Sequence, residues 1–131
     1  MKFFMDNQLP PPLASFMQYL SNHDGDGHTI QHIRERYPQG DPGDLVWIND
    51  LRKEEPWILF TKDVMTKRNP AEWAALKESG LTVFYLVKRF NHMNSWELSW
   101  RLLKLWPVIL ERAEKRLTGH IYHVYENRVE K

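Results

Sequence analysis

Apolar residues fall into short bursts that alternate with stretches of helical spacing along the whole chain. Residues 2–5 form the first burst, KFFM, which stops at Asp6-Asn7 and reads as a buried strand. Pro10-Pro11-Pro12 opens a segment in which Leu13, Phe16, Met17 and Leu20 keep helical spacing. Proline suits a first turn, so a helix is expected over 11–21. A polar loop follows over 21–27, then a second strand over 28–33. Asp41-Pro42 with Asp44 three residues on predicts a helix capped by Asp41, with Leu45, Ile48 and Leu51 on one face to about Glu54. Residues 57–61 read as a third strand ending at Lys62-Asp63. Asn69-Pro70-Ala71-Glu72 starts a helix through Trp73, Ala75 and Leu76 that Gly80 ends. Residues 81–87 are the clearest strand. Asn94 caps a long helix to about Leu117, which Pro107 should kink or split. Residues 120–126 read as a last strand, with Ile121, His123 and Tyr125 on one face and Tyr122 and Val124 on the other.

Strands that alternate with helices imply parallel pairing and right-handed crossovers, hence an α/β fold: a three-layer α/β/α sandwich on a mainly parallel sheet. In such sheets a ligand site lies beyond the carboxyl ends of the strands, near the point where strand order reverses. Asp6 follows the first strand, Lys62-Asp63 the third and Lys88-Arg89 the fourth. The helix that opens near Asp44 follows the second strand. Asp6, Asp44 and Asp63 are therefore expected on one rim. Singly, each has a plainer explanation as a strand-end acid, a first-turn acid favoured by the helix dipole, or a solvated loop residue. Together they would repel one another, and a divalent cation is the usual remedy; oxygen-only ligands suit Mg²⁺ or Mn²⁺.

Composition narrows the picture. The 131 residues suit one domain over 1–131, and 42% hydrophobic content is enough for a core. Eighteen Lys and Arg against 17 Asp and Glu leave a net charge of +1, which excludes a histone-like polycation and an acidic disordered tail. There is no cysteine, so disulfides, thiolate metal sites and cysteine nucleophiles drop out. No apolar run is long enough to span a bilayer, and the first residues lack the long apolar region of a signal peptide, so a cytoplasmic location is expected.

The opening KFFMDNQLPPPLASFMQYL resembles the strand, Asp-Asn, Leu-Pro, helix start of PIN-like nuclease domains. The stretch DLVWINDLRKEEPWILFTKDVMTKRNPAEWAAL is similar to the same group's acid, helix, strand, Thr-x-Asp segment. The resemblance extends over nearly the whole chain, including a Trp-rich terminal helix. It implies a metal-dependent endoribonuclease, commonly the toxin of a toxin–antitoxin pair. It places Asp6, Asp44 and Asp63 on acidic metal-binding positions that hold Mg²⁺ or Mn²⁺. Metal-assisted phosphodiester hydrolysis follows, with RNA as substrate, an antitoxin protein as partner and a homodimer as a further expectation. Asn7, Lys62, Lys67, Arg68 and Asn69 are the expected substrate contacts, with Lys88 and Arg89 on neighbouring loops. Two positions depart from the family's pattern. No fourth acid occurs over 64–68, and Leu45 and Val46 occupy places where the family can offer further acids; Asn7 or Asn69 is the expected neutral substitute.

Other chemistry is less well supported. No register of Asp24-Gly25-Asp26-Gly27 gives both marks of a calcium loop: counted from Asn22 the twelfth position is Ile33, and counted from Asp24 Glu35 is twelfth but Thr29 replaces the turn glycine. His28 and His32, and His120 and His123, lack zinc-site spacing for the expected strands. Trp96 and Trp100, with Leu103, form an i, i+4 stripe that fits core or a partner surface better than a base-stacking platform. Two other functions stay open: a PIN-like domain that has lost catalysis and only binds a partner, and a receiver-like signalling domain using Asp63 and Lys88.

Overall fold

A computed structural model describes residues 1–54, 56–62, 70–115 and 119–131. The elements are β1 (Lys2–Met5), α1 (Pro11–Asp24), β2 (Thr29–His32), α2 (Ile33–Arg36), α3 (Asp44–Arg52), β3 (Trp57–Lys62), α4 (Pro70–Ser79), β4 (Thr82–Leu86), a 3₁₀ turn (Lys88–His92), α5 (Ser95–Glu114), β5 (Ile121–Val124) and β6 (Val129–Glu130). They form a six-stranded sheet in the order β2-β1-β3-β4-β5-β6. The first five strands are parallel and β6 pairs antiparallel with β5. The α/β architecture with a mainly parallel sheet is thus the one expected.

Alternation along each strand assigns the two faces. Phe3, Met5, Phe60, Phe84, Tyr122 and Val124 meet α1 and α5 through Leu13, Met17, Leu98, Leu102 and Ile109. Phe4, Leu59 and Val83 point the other way, to Trp47, Ile48 and Leu51 of α3 and Leu76 of α4. The helices therefore cover both faces, which is why β1, β3 and β4 are apolar on both. Phe84 stacks between Phe60 and Tyr122 at ring-centroid distances of 5.3 and 5.0 Å.

Several expected boundaries shift, each for a local reason. α1 runs three residues further, to Asp24, because Gly25 takes a left-handed conformation (φ 70°) and its N–H closes on the Ser21 carbonyl. β2 is shorter than expected and passes into the one-turn helix α2, whose cap is the His32 ring accepting from the Arg34 N–H. Asp41 does not cap α3. That helix begins at Asp44 after Gly43, whose φ of 102° excludes most other residues. Asn94 caps α5 as expected, its side chain accepting from the Glu97 N–H at 2.9 Å. Pro107 does not split α5, which is continuous from Ser95 to Glu114. Pro107 is exposed, so the carbonyl it deprives of a donor can bond to water. The last strand ends at Val124, and the hairpin to β6 was not visible in the pattern of residues. The expected cap at Asn69 and the helix end at Leu117 lie outside the described residues.

Phe84→Ala should cost about 3–5 kcal/mol in denaturant unfolding, because it empties the centre of the stack on the α1–α5 face. A loss under 1 kcal/mol would show that this face is not closely packed.

Candidate functional site

Strand order reverses between β1 and β3: the chain leaves β1 for β2 on one side and returns to β3 on the other. The carboxyl ends of these two strands are where the topology opens a crevice. Asp6 stands directly beyond β1. It is only 6% exposed, so its carboxylate is largely removed from water. Oδ1 accepts from the Gln8 N–H at 2.9 Å and Oδ2 is bonded to the Thr61 hydroxyl. Thr61 can reach Asp6 because Met5 pairs with Phe60 in register, so the next residues of both strands lie side by side.

Burial pushes the Asp6 carboxyl up to about 7, and the Asp44 and Asp41 charges add to that rise, against the lowering effect of Thr61 and Gln8. Thr61 Oγ1 also lies 2.9 Å from the Lys62 carbonyl. One hydroxyl proton cannot serve both acceptors. With Asp6 protonated, the acid donates to Thr61 and Thr61 to the Lys62 carbonyl; with Asp6 ionised, the hydroxyl turns to Asp6. Lys62 is half-buried, which lowers its pKa, while the nearby Asp6 charge raises it.

The loop before α3 supplies the other acids. Asp44 Oδ1 accepts from the indole N–H of fully buried Trp47 at 2.9 Å, and Trp47 packs on Phe4 of β1 with centroids 5.4 Å apart. Asp41 Oδ1 accepts from the Gly43 N–H at 2.8 Å, and Oδ2 from the Asn7 side-chain amide at 2.7 Å. Asp41 is not the helix cap because the chain turns at Gly43 and α3 starts only at Asp44; its bond to Gly43 closes the turn before the helix. Asn7 ties the loop to the end of β1. Among the described residues none of Asp6, Asp41 and Asp44 makes an ion pair.

His32, fully buried at the end of β2, fixes the turn after Asp6 from the other side. Its Nε2–H donates to the Leu9 carbonyl at 2.8 Å and its Nδ1 accepts from the Arg34 N–H at 3.1 Å, so both nitrogens serve a neutral ring. Burial lowers its pKa, with the Leu9 bond working against that shift.

The structure thus brings Asp6, Asn7, Asp44 and Lys62 to one edge. Asp63, Lys67, Arg68 and Asn69 lie outside the described residues. Lys88 is exposed in the 3₁₀ turn, and Arg89 pairs with Glu126 at 2.6 Å. Among the described residues no three His, Asp or Glu side chains are close enough together to hold a metal ion. Sequence reasoning put Asp41 at this edge only as the expected cap of α3, and missed Thr61 as the partner of Asp6. The spacing Thr61-Lys62-Asp63, at the end of an apolar strand, was the signal for Thr61.

A parallel α/β domain with an acidic crevice at its switch point is the class that fold and edge define. The chain belongs to the PIN-like family: residues 1–88, two thirds of it, match the family described as PIN like domain. The match ends before α5. No curated protein and no solved structure matches the chain. Family membership leaves the receiver-like alternative without support. No helix among the described residues is long and apolar enough to cross a membrane.

The two buried titrating groups carry opposite signs. An acid with a raised folded pKa favours the native state only while protonated. Its unfolded form ionises from about pH 4, so stability falls as pH rises to about 7 and the loss is complete above that. In metal-free buffer, Asp6→Asn should match the wild-type melting temperature near pH 4 and exceed it near pH 8. A mutant less stable near pH 8 would mean that the charged form is favoured by its surroundings. His32 has a lowered folded pKa, so its contribution is lost as pH falls below about 6.5. His32→Gln should lower stability throughout but flatten its decline below that pH, read from melting curves against wild type.

Proposed function

We propose that the protein is a metal-dependent endoribonuclease that hydrolyses RNA phosphodiester bonds, with Asp6, Asp44 and Asp63 as its acidic residues. The observation that carries this reading is the buried Asp6 carboxylate at the switch point, near two further acids and held ready by Thr61 and Gln8. A fold gains nothing from burying an acid that has to shed its proton unpaired, whereas a cation would reward it.

The donor set fits a hard divalent cation such as Mg²⁺ or Mn²⁺: the side chains around Asp6 among the described residues offer carboxylate and amide oxygens. Asp6, Asp44 and Asp63 would hold it, and Asn7 offers a neutral oxygen beside them. When bound, the ion supplies Lewis-acid stabilisation of phosphate charge and lowers the pKa of water. The chain's own residues do the rest. Thr61 orients the Asp6 carboxylate and accepts its proton hydrogen bond when the site is empty. Lys62 sets a positive charge beside the crevice where an RNA phosphate would approach. Lys67, Arg68 and Asn69 are the further substrate contacts in this reading. The role of a toxin held by an antitoxin belongs to the same proposal. Trp96, 86% exposed, and Trp100 give α5 an apolar outer stripe suited to such a protein partner.

RNA cleavage with Mn²⁺ or Mg²⁺, against EDTA, tests it. Asp6→Asn should lower the rate by more than the roughly 10–100-fold typical of residues that only support a metal ligand, and Thr61→Val should fall within that range. At limiting metal, activity should rise with pH as Asp6 gives up its proton. A pure sample that cleaves nothing, or cleaves equally well after Asp6→Asn, would overturn the reading in favour of a partner-binding domain or another site.

A further inference from the structure

Two concavities flank Asn7 on the carboxyl edge. One, of about 330 Å³, is walled by Asn7, Arg34, Tyr37, Pro38, Gly40 and Asp41. The other, of about 220 Å³, includes Asn7, Lys62 and Ser95. Asn7 is their common wall, and Asp6 precedes it in the chain.

The walls of the larger hollow are chemically distinct from one another. Tyr37 presents a half-buried ring that is held in place, since its hydroxyl donates to Asp50 at 2.5 Å. Arg34 is exposed and its guanidinium makes no ion pair among the described residues, while its backbone N–H is fixed by His32. Asp41 puts a carboxylate on the wall shared with Asn7. Each of its oxygens accepts one hydrogen bond and keeps a further lone pair. A carboxylate repels phosphate and carboxylate groups but accepts from a hydroxyl. A flat apolar face, a hydroxyl acceptor and a separate cation are the complements of base, ribose and phosphate. An acidic peptide would set like charges against Asp41 and has no use for the ring.

We propose that this hollow is a subsite for one ribonucleoside of a single-stranded RNA, with the base on Tyr37, the 2′-hydroxyl donating to Asp41 and an adjoining phosphate at Arg34. The volume suits one nucleoside. The proposal rests on the nuclease reading and adds to it a reason for preferring RNA over DNA, because the 2′-hydroxyl is the group that differs.

The test is fluorescence anisotropy with a labelled single-stranded RNA and the DNA of the same sequence, on the full chain in EDTA, across a salt series. Wild type should bind the RNA about three- to tenfold more tightly than the DNA, the range of one hydrogen bond. Asp41→Asn should remove most of that preference. Arg34→Ala should weaken both ligands and reduce the salt slope by about 0.7, the value for one phosphate contact on a single strand. Arg34 is exposed, so its loss leaves the fold intact; circular dichroism checks both variants. If wild type binds RNA but Arg34→Ala keeps its affinity and slope, or Asp41→Asn keeps the RNA preference, the subsite is refuted. Metal-dependent cleavage by the wild type, measured in parallel, decides the nuclease reading separately. A wild type that neither binds nor cuts RNA refutes both.

Discussion

Holding one carboxylate out of water at the end of β1 is the constraint to which the rest of this edge answers. Asp6 cannot be left without donors once buried, and the fold supplies them from two directions. Gln8 donates from the turn that follows, and Thr61 from the neighbouring strand. The turn itself is held by His32, whose ring bonds to Leu9 from β2. Three adjacent strands therefore each contribute a part. Replacing any of them would leave a buried polar atom unpaired, so the parts depend on one another.

The loop before α3 shows a second kind of dependence. Asp44 is fixed by an indole that belongs to the core, and Trp47 in turn packs on Phe4 of β1. The position of an acid at the edge thus follows from aromatic packing beneath the sheet. Asp41 is anchored from above by Asn7. Core and edge are linked through single side chains, which is how a crevice with several like charges can keep its shape without ion pairs among the described residues.

Much of this was legible in the order of residues. The apolar bursts at Phe3, Leu59 and Val83 mark strands buried on both faces, and their alternation with helical stretches fixes parallel pairing. Asp6 and Asp44 fall on the edge that this topology selects. What escaped depends on contacts between distant segments. Asp41 carries every local mark of a helix cap, yet α3 starts only after Gly43, and Asn7, 34 residues earlier, ties Asp41 to the end of β1. β6 is two residues long, too short for any alternation to register. Pro107 reads locally as a break, but its exposure and the buried row Leu102, Leu105 and Ile109 keep α5 in one piece. His32 looked like an unplaced histidine because its acceptor, the Leu9 carbonyl, has no signature in sequence.

The bond between Asp6 and Thr61 joins residues 55 apart in the chain. Contacts of such separation require the intervening segment to be closed first, and parallel pairing across a crossover is slow to form. No fragment that ends before β3 contains both halves of that pair, nor the β1–β3 ladder that aligns them. A growing polypeptide accordingly carries Asp6 as an ordinary solvated acid until β3 has been made and has docked. Whatever chemistry Asp6 supports is therefore withheld until β3 has joined β1.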